Sequence, residues 1–487
     1  MRSRIALSCT VVSLLAASLA LAACGSSASG AASSSTPAAA ASASTVAAPG
    51  GTPPSAPPNG SASGGPGGTP PSAPPNGSAS GGPGGAPGSS VAKYSAAGAY
   101  TQKGGSAGKT KATYTASRAD QSAILVGSSG SLTLTNPTIS TSGNSKSLDE
   151  SSFYGLNAGV LVQSAAKIVI SGGSVTTTGS GANGVFAYGS GSSIAMSNAT
   201  IKATAQGGHG AMASGGGSIS LKNVNIDTAG ANSAPIATDR GGGAITASGG
   251  TILSSGTDSP GIYSTGTITV SGAHIKATGS EAVVIEGSNS VFLTDTTLSA
   301  AKKRGVMIYQ SMSGDASGGK GSFTMTGGSL SAAAGPLFYV TNSTGVITVK
   351  GVTLTATSGT LIQAGAGAWG TSGSNGGTVR FAADAEKLKG DVISDGISSI
   401  ALTLKNGTSL TGKIDKAALT LDSTSRWSLT ADSTLTGLAD TSGLSGGSIS
   451  NIVGNGHTVS YDAGLAANSY LGGKTYTLAN GGRLIPK

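Results

Sequence analysis

The stretch Ile194-Ala-Met-Ser-Asn-Ala-Thr-Ile-Lys-Ala203 is followed 25 residues later by Ile219-Ser-Leu-Lys-Asn-Val-Asn-Ile-Asp-Thr228. Both read apolar-x-apolar, two or three small residues, then apolar-x-small. Nine such segments begin at Leu132, Ile168, Ile194, Ile219, Ile245, Ile268, Val291, Phe323 and Ile347, at spacings of 36, 26, 25, 26, 23, 23, 32 and 24. A repeat of this length decides the fold before any single strand does, because each unit is one layer of a stacked array.

Inside each unit apolar residues alternate with Ser, Thr or Lys, the period of a strand with one buried side. The fifth position holds Asn136, Gly172, Asn198, Asn223, Gly249, Gly272, Asp295, Gly327 and Gly351. Only Gly, Asn and Asp enter the left-handed region cheaply, so nine of them in register predict a tight bend with φ > 0. The ninth position carries Lys202, Asp227 and Lys276, charges that must point outward. A third strand follows, usually opened by Gly, as in Gly159-Val-Leu-Val, Gly184-Val-Phe-Ala and Gly305-Val-Met-Ile. Three short strands in each 23–26-residue turn predict an all-β chain. The expected fold is a single right-handed parallel β-helix solenoid, each turn hydrogen-bonded to the next at about 4.8 Å. A sandwich or propeller would need hairpin turns and would not keep one bend residue fixed over nine copies.

The N-terminus is a different material. Met1-Arg-Ser-Arg4 is positive, Ile5 to Ala23 is mostly apolar, and Leu21-Ala-Ala-Cys24 closes the run. This is the layout of a secretion signal rather than a spanning helix. The Leu-Ala-Ala-Cys ending resembles a bacterial lipobox. That resemblance implies cleavage before Cys24 and lipidation of its thiol, an exported chain, and a lipid anchor in the cell membrane or at the cell surface. Cys9 leaves with the signal, so neither a disulfide nor a thiolate metal site is expected. Residues 25 to about 90 are almost entirely Gly, Ser, Ala, Pro, Thr and Asn, and a unit beginning Thr52-Pro-Pro-Ser-Ala recurs from Thr69. Nothing there can bury apolar surface, so a disordered spacer reaching about 40–50 Å is expected. The chain therefore divides into signal 1–23, lipid-anchored linker 24–90, repeats with an N-terminal cap 91–364, and later coils with a C-terminal cap 365–487.

Charged residues make up 10% of the chain, against roughly 25% in ordinary soluble domains. Net charge is +9, and loss of Arg2 and Arg4 leaves 9 − 2 = +7. With no dense Lys/Arg run, nucleic acid is not an expected partner; anionic envelope polymers are compatible with so dilute a charge. Past residue 365 the period loosens, though Leu402-Thr-Leu404 and Trp427-Ser-Leu-Thr-Ala-Asp-Ser-Thr-Leu435 continue it. This run resembles the later coils of autotransporter passenger domains, and the repeats resemble bacterial surface β-helix proteins, some of which bind carbohydrate. The pattern departs from autotransporters in having no C-terminal membrane barrel, so anchoring would fall to Cys24. The end from Tyr470, with Leu484 and Ile485, is expected to cap the rod, and the chain reads as a monomer.

Counting the third strands from their opening residue, the first and third positions suit the interior. The second position then faces out, yet it holds Leu161, Phe186, Met212, Ala237, Tyr263, Val284, Met307 and Leu337. The fourth holds Tyr188, Asp239, Glu286, Tyr309 and Tyr339, with Arg240 beside it. An apolar column next to a polar and aromatic one makes a platform for a sugar chain, since aromatic faces stack on pyranose rings and hydroxyls need partners. Alternatively a loop, residues 311–322 or the 91–114 segment, covers this face and makes it core. Ligand-binding candidates are thus Phe186, Tyr188, Met212, Asp239, Arg240, Tyr263, Glu286, Met307 and Tyr309.

The leading expectation is a non-catalytic surface protein that binds polysaccharide or acts as an adhesin. A polysaccharide lyase or glycoside hydrolase on the same rod is the first alternative, and a structural envelope protein the second. For the enzyme, Asp239 and Glu286 stand two turns apart in one register, about 9–10 Å between Cα atoms, near the upper end of an inverting carboxylate pair. No cluster resembles a Ca²⁺ loop, and His209, His274 and His457 lack metal-ligand spacing. No nucleophile or phosphate-loop motif is present, and no cofactor is expected. Lys302-Lys-Arg304 reads as a charged turn.

Overall fold

The computed structural model describes residues 95–487; the signal sequence, Cys24 and the linker expected over 24–90 lie outside the described residues. From Ala97 to Pro486 the chain winds as a single parallel β-solenoid of about 16 turns. Leu132, Ile168, Ile194, Ile219, Ile245, Ile268, Val291, Phe323 and Ile347 are successive partners in one unbroken column. All nine are at most 3% exposed, and burying each such side chain contributes roughly 1.5–3 kcal/mol. The column continues through Phe381, Leu402, Leu419 and Leu438, so the looser C-terminal sequence keeps the same interior.

Nine expected bends are nine observed bends. The fifth-position residues from Asn136 to Gly351 have φ between 47° and 69°. They join this first face to a second face, a ten-stranded parallel ladder running from Thr113–Ala116 to Thr353–Ala356. On both faces the outward residues are mostly Thr, Ser and Lys in contact with solvent, with Val169, Leu253 and Phe292 as exposed apolar exceptions.

The register slips near Thr360 and again between Asp415 and Ala418; at the second slip the first-face partners Leu402 and Leu419 stand only 17 residues apart. Trp427 fills the interior there and donates its indole N–H to the Gly412 carbonyl at 2.9 Å. At the end, a 3₁₀ helix (Ala466–Leu471) and an antiparallel pair (Tyr476–Ala479 with Arg483–Pro486) close the rod over Leu471 and Leu484.

The third face carries Val160–Val162, Val185–Tyr188, Ala211–Ser214, Ile236–Thr238, Ile262–Ser264, Val283–Glu286, Val306–Tyr309 and Phe338–Thr341. One strand counted from the sequence is off by two residues. Met307 pairs with Tyr339, which places Tyr339 in the second column rather than the fourth, and Leu337 level with the opening Gly305. Gly335, at φ 68°, belongs to the preceding turn and does not open the strand.

Candidate functional site

The second column of the third face is not an open ladder. Phe186, Met212 and Met307 are fully buried and Val284 nearly so, although their side chains point away from the interior of the rod. Three segments outside the repeat cover them. The first is helix α1, Leu148–Tyr154, begun by Ser147, whose hydroxyl accepts from the Glu150 N–H at 3.2 Å. It ends at Gly155, φ 72°, and a Cβ on that residue would lie 2.5 Å from the Phe186 ring. The helix end sits that close to the column only because glycine is there.

The second cover is the segment from Gln310 to Gly319, one of the loops considered as a lid, and the third is the loop carrying Trp369. Trp369 packs on Tyr309 with ring centroids 4.6 Å apart, and Asn375 fixes it through the carbonyls of Gly367 and Trp369. Of the 91–114 segment, Ala96 touches the layer.

Two apolar clusters result. One gathers Leu161, Phe186 and Met212 beneath α1; the other gathers Val284, Met307, Tyr309 and Tyr339 beneath the loops. Tyr263 touches both. Between them the covers fail to meet and leave a half-open cleft of about 120 Å³. Phe153 of α1, Tyr263, Tyr309 and Trp369 form its aromatic wall.

Its charged lining is wholly acidic: Asp149, Asp239, Asp258, Glu286 and Asp315. Glu286 is 1% exposed and engaged by hydroxyls. Oε2 accepts from Tyr263 at 2.5 Å and Tyr309 at 2.9 Å, and Oε1 accepts from Ser311 of the covering loop. Burial above all, with the Glu286 carboxylate beside them, pushes both phenols well above their ordinary range; Tyr309 adds to the rise at Tyr263, whereas the Tyr263 hydroxyl partly offsets it at Tyr309.

Asp239 accepts from Ser152 of α1 at 2.5 Å and from the Arg240 N–H at 2.6 Å. Burial first, and the Asp315 carboxylate second, raise its carboxyl to about 7. Arg240 reaches over the rim, pairs with Asp315 at 2.7 Å and lies 3.9 Å above the Phe153 ring. It thereby ties α1 to the 310–319 segment. Asp149 is raised as well, by burial and then by Asp315. Burial drives His209, another lining residue, down to about 4, so its ring is neutral.

Asp239, Tyr263, Glu286 and Tyr309, four of the residues singled out from sequence, therefore meet in one cleft, with Arg240 at its rim. Phe186, Met212 and Met307 lie under the covers and do not line it. Tyr188 lies outside, half-buried, its ring 5.4 Å from Tyr154. Lys303 and Arg304 are engaged by Asp258 and Glu281, and Arg304 lies over Tyr339.

Sequence reasoning missed Phe153, Trp369, Asp149 and Asp315. All four stand on insertions whose signal was length. The 36-residue spacing holds α1, the 32-residue spacing holds 310–319, and the 34 residues from Ile347 to Phe381 hold the Trp369 loop, against 23–26 elsewhere. The chain matches no protein-family model and no curated protein.

Proposed function

We propose that this is a lipid-anchored, non-catalytic glycan-binding protein of a bacterial envelope, and that the cleft between α1 and the 310–319 and Trp369 loops is its sugar site. One observation carries the reading: aromatic side chains and polar groups converge on a small half-open hollow. Such a hollow, largely pre-formed and lined by apolar faces with a few placed polar groups, is the usual form of a small-ligand site. The Leu-Ala-Ala-Cys24 ending and the linker behind it support tethering of the rod at a distance from a membrane.

A hydrolase on the same rod draws support from Asp239, whose carboxyl is raised toward neutrality, two rungs from Glu286. Against it, both oxygens of Glu286 already accept hydroxyl protons from Tyr263, Tyr309 and Ser311, which leaves a poor base for water. The test is a glycan-binding panel on the full chain, with product analysis. Trp369→Ala is expected to weaken retained glycans at least tenfold while the rod stays folded by circular dichroism. Released reducing or unsaturated sugars, lost in Asp239→Asn, would overturn the non-catalytic reading. Mass analysis of the expressed protein, with Cys24→Ser beside it, tests the anchor.

A further inference from the structure

On the reading of the cleft as a sugar site, we infer that it selects sugars bearing a protonated amine. The argument rests on a count of donors and acceptors around the hollow. Five carboxylates line it and no Lys or Arg does, in a chain whose net charge is +9. Acidity is therefore concentrated here against the trend of the whole molecule.

The hydroxyls of the lining are already engaged. Ser152 donates to Asp239; Tyr263, Tyr309 and Ser311 donate to Glu286; Ser280 donates to Glu281; Ser313 bonds to Ser311. The side-chain N–H donors that remain in the lining are the amides of Gln206 and Asn232 and the indole of Trp369.

Acceptors, by contrast, are left over. Asp149 Oδ1 and His209 Nδ1, both on lining residues, are shut from solvent and have no partner. Buried polar atoms without partners are costly, and a ligand that supplies donors removes the cost. A neutral sugar brings hydroxyls that both give and take. An ammonium brings three donors, takes nothing, and sets beside Asp149 a positive charge that the lining itself does not carry, Arg240 being held at the rim by Asp315.

Charge alone does not say sugar. The aromatic wall does: a ring lying against Tyr263 and Trp369 presents C–H faces to them and its amine to the carboxylates, and a cation near those rings is itself favoured. A divalent metal is a poor alternative, since among the described residues no three His, Cys, Asp or Glu side chains converge as metal ligands.

The experiment is calorimetric titration of the full chain with three oligosaccharides of equal length: glucosamine, N-acetylglucosamine and glucose oligomers, at about pH 6 and low salt. The amine form is expected to bind at least tenfold tighter than the other two, with the advantage shrinking as salt screens the charge. Asp149→Asn, on the half-exposed helix, is expected to bring the affinity of the amine form down toward that of the acetylated and neutral sugars. Asp239→Asn is the second variant, checked for fold by circular dichroism. Equal binding of all three sugars would overturn the amine inference and keep the sugar site. Binding of none would overturn both. A lysine-rich peptide that binds as tightly as the amino sugar, and is lost in Asp149→Asn, would overturn the choice of a sugar.

Discussion

Two faces of the rod are built from the same backbone and differ in what lies outside them. On the first face Ser131–Thr135 and Lys167–Ser171 alternate buried and solvent-facing residues along each strand. On the third, Val160–Val162, Val283–Glu286 and Val306–Tyr309 are buried on both sides. A parallel strand that is apolar at every position needs cover on both sides. The covers here are three short insertions rather than a second sheet. The difference teaches where chemistry can sit on a solenoid: the first face offers open columns of mostly Thr and Ser, whereas the covered face can hold enclosed carboxylates.

The comparison can be broken by mutation. Phe186→Ala, beneath α1, is expected to cost about 3–5 kcal/mol, whereas Phe292→Ala on the first face, 41% exposed, should cost about 1 kcal/mol or less. Hydrogen exchange of Val185–Tyr188 and Ser290–Thr294 reads each locally, and equal costs would erase the distinction between the faces. Next in size, asparagine at position 239 should flatten a pH dependence that wild type shows. The folded-state carboxyl of Asp239, at about 7, stands above its ordinary 3.8. Its protonated form therefore adds stability that is full below about pH 4 and is lost as pH rises through about 7. The size is on the order of 4 kcal/mol before the neighbouring charges adjust. Protection of α1 should fall between pH 5 and pH 8 in wild type and stay level in Asp239→Asn. Smaller again, Gly155→Ala places a methyl against the Phe186 ring at positive φ and should cost about 2 kcal/mol. Faster proteolysis around residues 148–155, with the first face unchanged, is the outcome that sharpens the contrast.

Repetition made the rod readable. Leu132 to Ile347 could be aligned, and the bends placed at Asn136 through Gly351, because each copy restates the same steric demand. The third face was legible only in part. Its column of outward apolar residues was recognised, but whether it met solvent depended on segments that occur once and share no pattern with the repeat. Of α1, Ser147 and Glu150 have the spacing of a capping box, and the Glu150 N–H donates to the Ser147 hydroxyl; so brief a local signal does not stand out in a chain so rich in Ser. The pairing of Arg240 with Asp315, 75 residues apart, had no sequence signal, since it depends on where one insertion lands relative to another. Tyr339 stands two residues from its place in the sequence count because Gly335 lies at the corner and does not open the strand.

All three insertions leave and rejoin the coil at its corners, where turns of 23 and of 36 residues feed the same column of partners. A corner loop can therefore be lengthened, shortened or exchanged while every strand above and below keeps its neighbours. Ligand preference and rod stability are in this way separate inheritances. Descendants of such a chain can acquire a new specificity by swapping two loops, and an engineer can graft one by the same route without redesigning a single rung.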